Sequence, residues 1–564
     1  MRRIAFVVAG MALTCQAVSA ADLPDLRPVS PPLPMYNWSG IYFGGHLGGG
    51  LGRTKIPDAA GASIYGGNVR TPTALGGMQL GLNWQAAPNW LLGVEADISA
   101  LNADGTATCF ASSGLFLSAN CRVRQDAMAT VTGRAGLVTG PSGRSLFYVK
   151  GGAAWLSENI DIATNTTTIA TTQSNSRWGW TVGAGVEQAI APALSVKMEY
   201  DYADFGSTSV QTPRSFVLDP AVGSYARTPS GSSNASLAVQ TVKLGLNMKF
   251  GGDAYARWDG LPDYHLRGAL RPTDQVASLG EIEVGGRIWY SSGSFQKDLG
   301  SSRQMQYQGT LNSRLTYQST AASGEVFGRI DGPSNVFLKG FVGGGNLLSG
   351  SMNDEDWIPS DDIPYSNTLS NPVKGSIGYG TIDAGYNLVR GAGLKVGGFI
   401  GYNYYRENKR AYGCIQMAGA PICDPTIDNS TMVIGQDSKW QSLRVGLNGV
   451  VMLTDQLKLT ADAAYLPYVN YAGVDNHALR TVNNTSLSPE SGSGQGVQLE
   501  AILSYALTRQ FSIGAGARYW GMWATSSDAK TNYFGLPCPC NTLPTRTERY
   551  GGFLEASYKF DDFR

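Results

Sequence analysis

Beyond residue 20 no part of the chain is apolar for the roughly 18 consecutive residues that a membrane-spanning helix requires, yet apolar residues alternate with small or polar ones in segment after segment. Met78-Gln79-Leu80-Gly81-Leu82-Asn83-Trp84 shows the pattern, with apolar side chains on one face and Gly or polar ones on the other. A strand of this kind fits between lipid and a polar interior. The 72 Gly allow tight turns and close packing in a narrow barrel, while 27 Tyr and 12 Trp favour strands and the membrane interface. At 564 residues the chain exceeds one ordinary domain. The expected fold is all-β, with two tandem antiparallel transmembrane β-barrels, an eight-stranded one followed by a ten-stranded one.

Export is read from the first residues. Met1-Arg2-Arg3, the apolar stretch Ile4 to Leu13 and the small-residue pattern Ala17-Val18-Ser19-Ala20 make residues 1–20 a signal peptide. Thr14 precedes Cys15 where a lipoprotein signal has a small residue, which argues against lipidation. Residues 21–37, with Pro28, Pro31, Pro32 and Pro34, read as an extended leader. Six later Cys fall into three local pairs, Cys109 with Cys121, Cys414 with Cys423 and Cys538 with Cys540. In an oxidising compartment these are disulfide candidates, and with no His nearby a metal site is not expected. The 43 basic and 43 acidic residues cancel, so charge gives no argument for nucleic acid as a partner.

Residues 38–250 contain eight alternating segments, starting near Trp38, Met78, Trp90, Ala127, Leu146, Trp178, Leu194 and Thr241. Short turns such as Ala87-Pro88-Asn89 alternate with long loops around 53–72, 101–126, 157–176 and 206–234, so the short turns belong in the periplasm and the long loops outside. The inward set carries Glu95, Asp97, Arg134, Lys150, Glu187, Lys197 and Glu199. Charges of both signs in so narrow a lumen imply a salt-bridged plug rather than a transport path. His46, alone on a Gly-rich strand, reads as structural. The opening Trp38-Ser39-Gly40-Ile41-Tyr42-Phe43 and the closing Val242 to Phe250 resemble those of the small porin-like, OmpA-type outer-membrane barrels of alphaproteobacteria.

Residues 251–280 show no sustained alternation and read as a periplasmic linker; residues 281–564 form the second unit. Ten strands are expected there, near 282–292, 310–331, 336–350, 374–389, 394–408, 439–453, 457–472, 495–508, 511–525 and 547–560. The third ends in Asn353-Asp354-Glu355-Asp356-Trp357 and the seventh in Val474-Asp475-Asn476-His477, both on the outer rim. Four strand steps in a ring of ten set the two groups across the mouth from each other. Spacing i, i+2 puts Asp354 with Asp356, and Asp475 with His477, on one side of an extended strand. Two close carboxylates share a proton and hold a water, and a His oriented by an Asp acts on that water as general base. On spacing alone, a solvated Asp-x-Asp and an idle His remain the commoner reading.

Both motifs resemble the Asp-x-Asp and Asp-x-His pairs of the omptin family of outer-membrane proteases, in the same order and on the corresponding strands. The resemblance implies an aspartyl endopeptidase whose catalytic residues are Asp354, Asp356, Asp475 and His477, acting on a peptide or protein at the cell surface of a Gram-negative bacterium. It implies no cofactor, but a requirement for lipopolysaccharide, bound at Tyr402 and Arg406 with Lys439 in place of a family Arg. Tyr404 stands where the family has Glu. Acidic groups that give omptins their preference for basic residues are replaced by Gly473 and Lys297. That departure keeps open a non-catalytic, structural or adhesive outer-membrane protein, with solute passage as a third reading.

Overall fold

The computed structural model describes residues 36–560, apart from 251–280 and stretches at strand tips, the longest being 58–62, 113–118, 165–170, 301–310, 357–365, 480–486 and 532–536. The expected signal peptide, most of the leader, the linker with His265, residue Trp357 and the side chains of Cys538 and Cys540 lie outside the described residues.

The first unit comprises β1 (Gly40–Lys55), β2 (Ser63–Tyr65), β3 (Asn68–Ala87), β4 (Trp90–Cys109), β5 (Ala111–Ser112), β6 (Ala119–Thr139), β7 (Ser145–Thr164), β8 (Thr171–Ala189), β9 (Leu194–Thr212), β10 (Ser215–Asp219), β11 (Ser224–Thr228) and β12 (Gly231–Phe250). Eight of these close into a barrel in the order β1-β12-β9-β8-β7-β6-β4-β3, with Ile41 opposite Phe250 at the seam. The second unit comprises β13 (Glu281–Gly300), β14 (Leu311–Asp331), β15 (Val336–Asp356), β16 (Ser366–Ser370), β17 (Val373–Gly391), β18 (Leu394–Ala418), β19 (Ile427–Met452), β20 (Leu457–His477), β21 (Leu487–Ala506), β22 (Phe511–Thr531) and β23 (Pro537–Phe560). Ten long strands pair in sequence from β13 to β23, and Ile282 opposite Phe560 brings the ladder back to its start. The short β16 is wedged between the ends of β15 and β18.

Outward side chains on both units form an apolar belt, including Leu80, Leu82 and Trp84 on the first and Ile288, Tyr290, Ile400 and Tyr465 on the second. All the named belt residues are exposed, as lipid contact requires. Beyond the belt the strands run further than the apolar alternation indicates. β6 begins at Ala119 rather than near Ala127, β8 at Thr171 rather than Trp178, β12 at Gly231 rather than Thr241, and β18 and β19 extend to Ala418 and from Ile427. Much of the sequence expected as loop is therefore hairpin. β4 and β6 stay paired out to Cys109 opposite Ala119, and β7 and β8 out to Ile162 opposite Thr171. The physical reason is that the outward face meets no lipid there, so its apolar signal disappears while the backbone ladder continues.

The first lumen changes character along its axis. At belt level it is filled by ion pairs: Lys197 Nζ lies 2.8 Å from Glu95, Lys150 Nζ 2.6 Å from Glu199, Arg134 Nη1 3.2 Å from Glu187 and Lys243 Nζ 2.9 Å from Asp97. His46 is held by Gln79 at 2.6 Å and Ser99 at 2.8 Å, a structural role. Beyond the belt the inside turns apolar, with Ile56, Val69, Val123, Ile160, Ile162 and Val210 packed around the Cys109–Cys121 disulfide. That is the arrangement of a soluble barrel, where water lies outside and the core must be dry.

Candidate active site at the mouth of the second barrel

The second lumen is layered. Near the short turns, Arg444 pairs with Asp383 and Asp462; above them Arg518 and Arg287 share Glu325 and Glu500. An aromatic layer comes next, with Trp520 edge-on to Trp289 at 5.2 Å and to Tyr379 at 5.2 Å. Higher still, Arg549 Nη2 lies 2.8 Å from Glu407. The final layer, at the long-hairpin end, contains Asp354, Asp356, Asp475 and His477.

β20 passes its outward Tyr468 and continues to Asp475 and His477, roughly 23 and 30 Å further along the strand at about 3.3 Å per residue, so both stand well past the belt. Their two-residue spacing turns both side chains inward, and His477 Nε2 lies 3.1 Å from Asp475 Oδ2. Asp475 is 2 % exposed and His477 8 %, so this contact is shielded from bulk water. Asp354 and Asp356 end β15, four strand steps from β20, and both are half-buried. Glu355 between them is fully buried on the opposite, outward face, opposite Arg314 in the ladder.

The residues that join the two groups carry no spacing signal in the sequence. Lys297 on β13 reaches across the lumen, its Nζ 2.7 Å from Asp475 Oδ2 and 2.6 Å from Glu490 Oε1. Ladder register places Lys297 opposite Leu315, and Leu315 opposite Asp354, so one row of three strands carries both Lys297 and Asp354. Tyr317, also on this wall, is fully buried, and burial with the negative charges of Asp475 and Asp354 pushes its hydroxyl well above the ordinary value. Tyr317 is thus within electrostatic reach of both groups. The Tyr317 hydroxyl and Asp475 Oδ1 have no hydrogen-bond partner among the described residues.

Burial alone would raise the Asp475 carboxyl, but His477 and Lys297 beside it hold it well below the usual carboxylate range. Lys297 is raised in turn: burial opposes its charge, and Asp475 and Glu490 overcome it. Glu490 sits opposite Gly473 in the β20–β21 ladder. A Cβ on Gly473 would come 2.3 Å from the Tyr471 hydroxyl and 2.8 Å from Glu490 Oε2. The glycine therefore clears space for a carboxylate from the neighbouring strand, which accepts from Tyr471 at 2.7 Å and from Gln436 at 3.2 Å.

Tyr402, Arg406 and Lys439 project outward from β18 and β19, with Arg406 opposite Lys439. Asp437, which no sequence motif marks, binds Arg406 through two contacts, Nε at 3.0 Å and Nη2 at 2.5 Å. Much of that guanidinium's donor capacity is therefore already used. The Cys414–Cys423 disulfide is formed at the tip between β18 and β19.

Comparison with known proteins agrees with this architecture. Residues 8–250 match the outer membrane protein beta-barrel domain family, and residues 326–532 match the Omptin family. A 31 kDa outer-membrane immunogenic protein of Brucella melitensis is 26 % identical over 255 residues, covering 44 % of this chain and 98 % of the relative. A 22 kDa outer membrane protein of Rhizobium leguminosarum is 27 % identical over 221 residues, covering 39 % of this chain and 82 % of the relative. Among solved structures, the outer membrane protease OmpT from Escherichia coli aligns with 13 % identity and a TM-score of 0.41, covering 50 % of this chain and 97 % of that one. The chain is an outer-membrane protein that joins a segment matching the outer membrane protein beta-barrel family to a segment matching the omptin family.

Proposed function

We propose that the second barrel is an endopeptidase of omptin type, with its long-hairpin end facing the cell exterior. The observation that carries this reading is the shielded Asp475–His477 contact on the rim, set across the ring from Asp354 and Asp356. In this reading the His477 imidazole, oriented by its contact with Asp475, is the base that takes a proton from water. Asp354 and Asp356 hold that water by accepting its hydrogen bonds and share the proton load. The hydroxide equivalent adds to the peptide carbonyl, and the proton taken by His477 is returned to the leaving amine. The buried Tyr317 hydroxyl, without a hydrogen-bond partner among the described residues, would donate to a water held on the same wall. No cofactor enters this chemistry. Lipopolysaccharide would bind outside, at Tyr402, Arg406 and Lys439, and act through β18 and β19.

The substrate preference differs from that of a basic-residue pocket. Glu490 restores a carboxylate beside Gly473, but Lys297 neutralises it. The same lysine competes with His477 for Asp475 Oδ2. That competition favours the second reading, a structural or adhesive barrel without turnover. The deciding experiment incubates the purified protein, refolded with lipopolysaccharide, with a mixed peptide library and compares wild type with His477→Ala by mass spectrometry. Cleavages confined to wild type are expected; identical peptide profiles would transfer the conclusion to the structural reading.

A further inference from the structure

Past the belt, the second barrel carries charged side chains on its outward face, and these are buried. On β13 the outward parity set by Ile288 and Tyr290 continues to Gln296 and Asp298, only 7 % and 3 % exposed. On β14 the parity of Val326 and Ile330 continues to Arg314, 1 % exposed; on β23 that of Leu554 and Tyr558 continues to Arg546, half-buried, and Glu548, 4 % exposed. Water would hydrate such groups on a free-standing barrel, and burying them without partners costs several kcal/mol.

Asp298 is paired within its own barrel, with Arg314 Nε at 2.8 Å and Gln296 Nε2 at 2.9 Å, and the first barrel supplies the further partners. Thr106 on β4 donates to Asp298 Oδ2 at 3.1 Å and accepts from Gln296 at 3.0 Å and Arg314 at 2.8 Å. Arg546 donates to the backbone carbonyls of Arg70, Asp104 and Thr106, which belong to β3 and β4. Lower down, outward Val497, only 3 % exposed, and Leu499 lie against Gly49 of β1, where an added Cβ would come 3.1 Å from Leu499. Between the barrels a cleft of about 310 Å³ is lined by Arg53, Arg70, Gln318, Glu355 and Glu548 among others. The contacts join the same ends of both barrels, so both point the same way through one membrane. Residues 251–280 can span up to roughly 100 Å at about 3.3–3.6 Å per residue, which keeps the two surfaces at high mutual concentration.

The geometry points to an intramolecular docking surface: the outward polar face of β13, β14 and β23 seats the first barrel of the same chain through β1, β3 and β4. This inference does not depend on peptide hydrolysis, but it bears on the candidate site. Asp298, Arg314 and Glu355 form one row across three strands. Their sequence neighbours Lys297, Leu315, Asp354 and Asp356 point the other way, into the mouth. The first barrel thus grips the reverse side of the wall that presents Lys297 and the Asp pair.

The test places a benzophenone amino acid at Gln296, at Thr106 or at Tyr402 in the full chain, with a specific protease site inserted within residues 251–280. Cells are irradiated and the linker is then cut. The two halves are expected to remain joined with the probe at Gln296 or Thr106, with linked peptides mapping to β3–β4 and β13–β14. They should separate with the probe at Tyr402, which faces outward elsewhere. Adding Arg314→Ala and Arg546→Ala should reduce joining to the Tyr402 background. Separation at both Gln296 and Thr106, or linkage to lipid or to a second copy of the chain, would overturn the proposal.

Discussion

The two lumens are built from the same residue types and solve opposite problems. In the first barrel each of Lys150, Lys197, Lys243 and Arg134 faces carboxylates within the same layer, and an apolar plug caps the ion pairs. In the second, ion pairs resume above the aromatic layer and reach the mouth, where Asp475 is shared between Lys297 and His477. A lumen whose charges are mutually satisfied and then sealed is a strut. One that carries an imidazole up to its rim is open to the chemistry proposed above. Similar chemistry, differently terminated, separates a sealed interior from the one proposed to be reactive.

The largest test of that contrast is His477→Ala. If the second mouth is reactive, this change lowers peptide cleavage by about 10²- to 10⁴-fold, measured as product peptides over time, with little change in unfolding midpoint. Lys150→Ala in the first barrel should do the reverse. It strands Glu199 and Glu95 in a dry lumen and costs about 3–5 kcal/mol of stability, read from denaturant unfolding, with cleavage per folded molecule unchanged. Equal losses of activity from the two variants would erase the distinction.

Lys297→Gln sharpens it. Releasing Glu490 should raise the relative kcat/KM for substrates with Lys or Arg at the cleavage site by about tenfold or more, in line with the roughly 1.5–3 kcal/mol of a hydrogen bond to a charged group. Because Lys297 helps hold the Asp475 carboxyl below its usual range against burial, removing it lets that pKa rise. The acid limb of the kcat/KM profile should therefore move to higher pH. The smallest effect is expected from Asp437→Ala. Freeing the exposed Arg406 guanidinium should strengthen lipopolysaccharide association only a few-fold, matching the roughly 0.2–1 kcal/mol of exposed ion pairs, as read from the lipopolysaccharide concentration giving half-maximal activity.

Strand count and the rim position of Asp354, Asp356, Asp475 and His477 are legible in the sequence because a two-residue period assigns faces, and the parity of hairpins assigns ends. The same reasoning fails where contacts cross empty space. Nothing in the spacing of Lys297 and Asp475, 178 residues apart, marks them as partners. Glu490 next to Gly473 is a substitution across a ladder rather than along a strand, invisible without register. The docking face leaves a faint trace: Gln296 and Asp298 are polar at positions where the parity of Ile288 and Tyr290 leads one to expect outward residues. Without knowing where the belt ends, that polarity is indistinguishable from an ordinary solvated strand tip. Strand ends escape detection for a related reason, since β6 and β19 continue beyond any apolar alternation.

Both rings contain an even number of long strands, so each begins and ends on the same side. Each ring consequently enters and leaves the membrane without reversing the polarity of its neighbour. A lineage carrying such a gene could duplicate, lose or exchange one whole ring and leave the sidedness of the other intact, which makes the joining of two rings an addition that evolution can try in a single step.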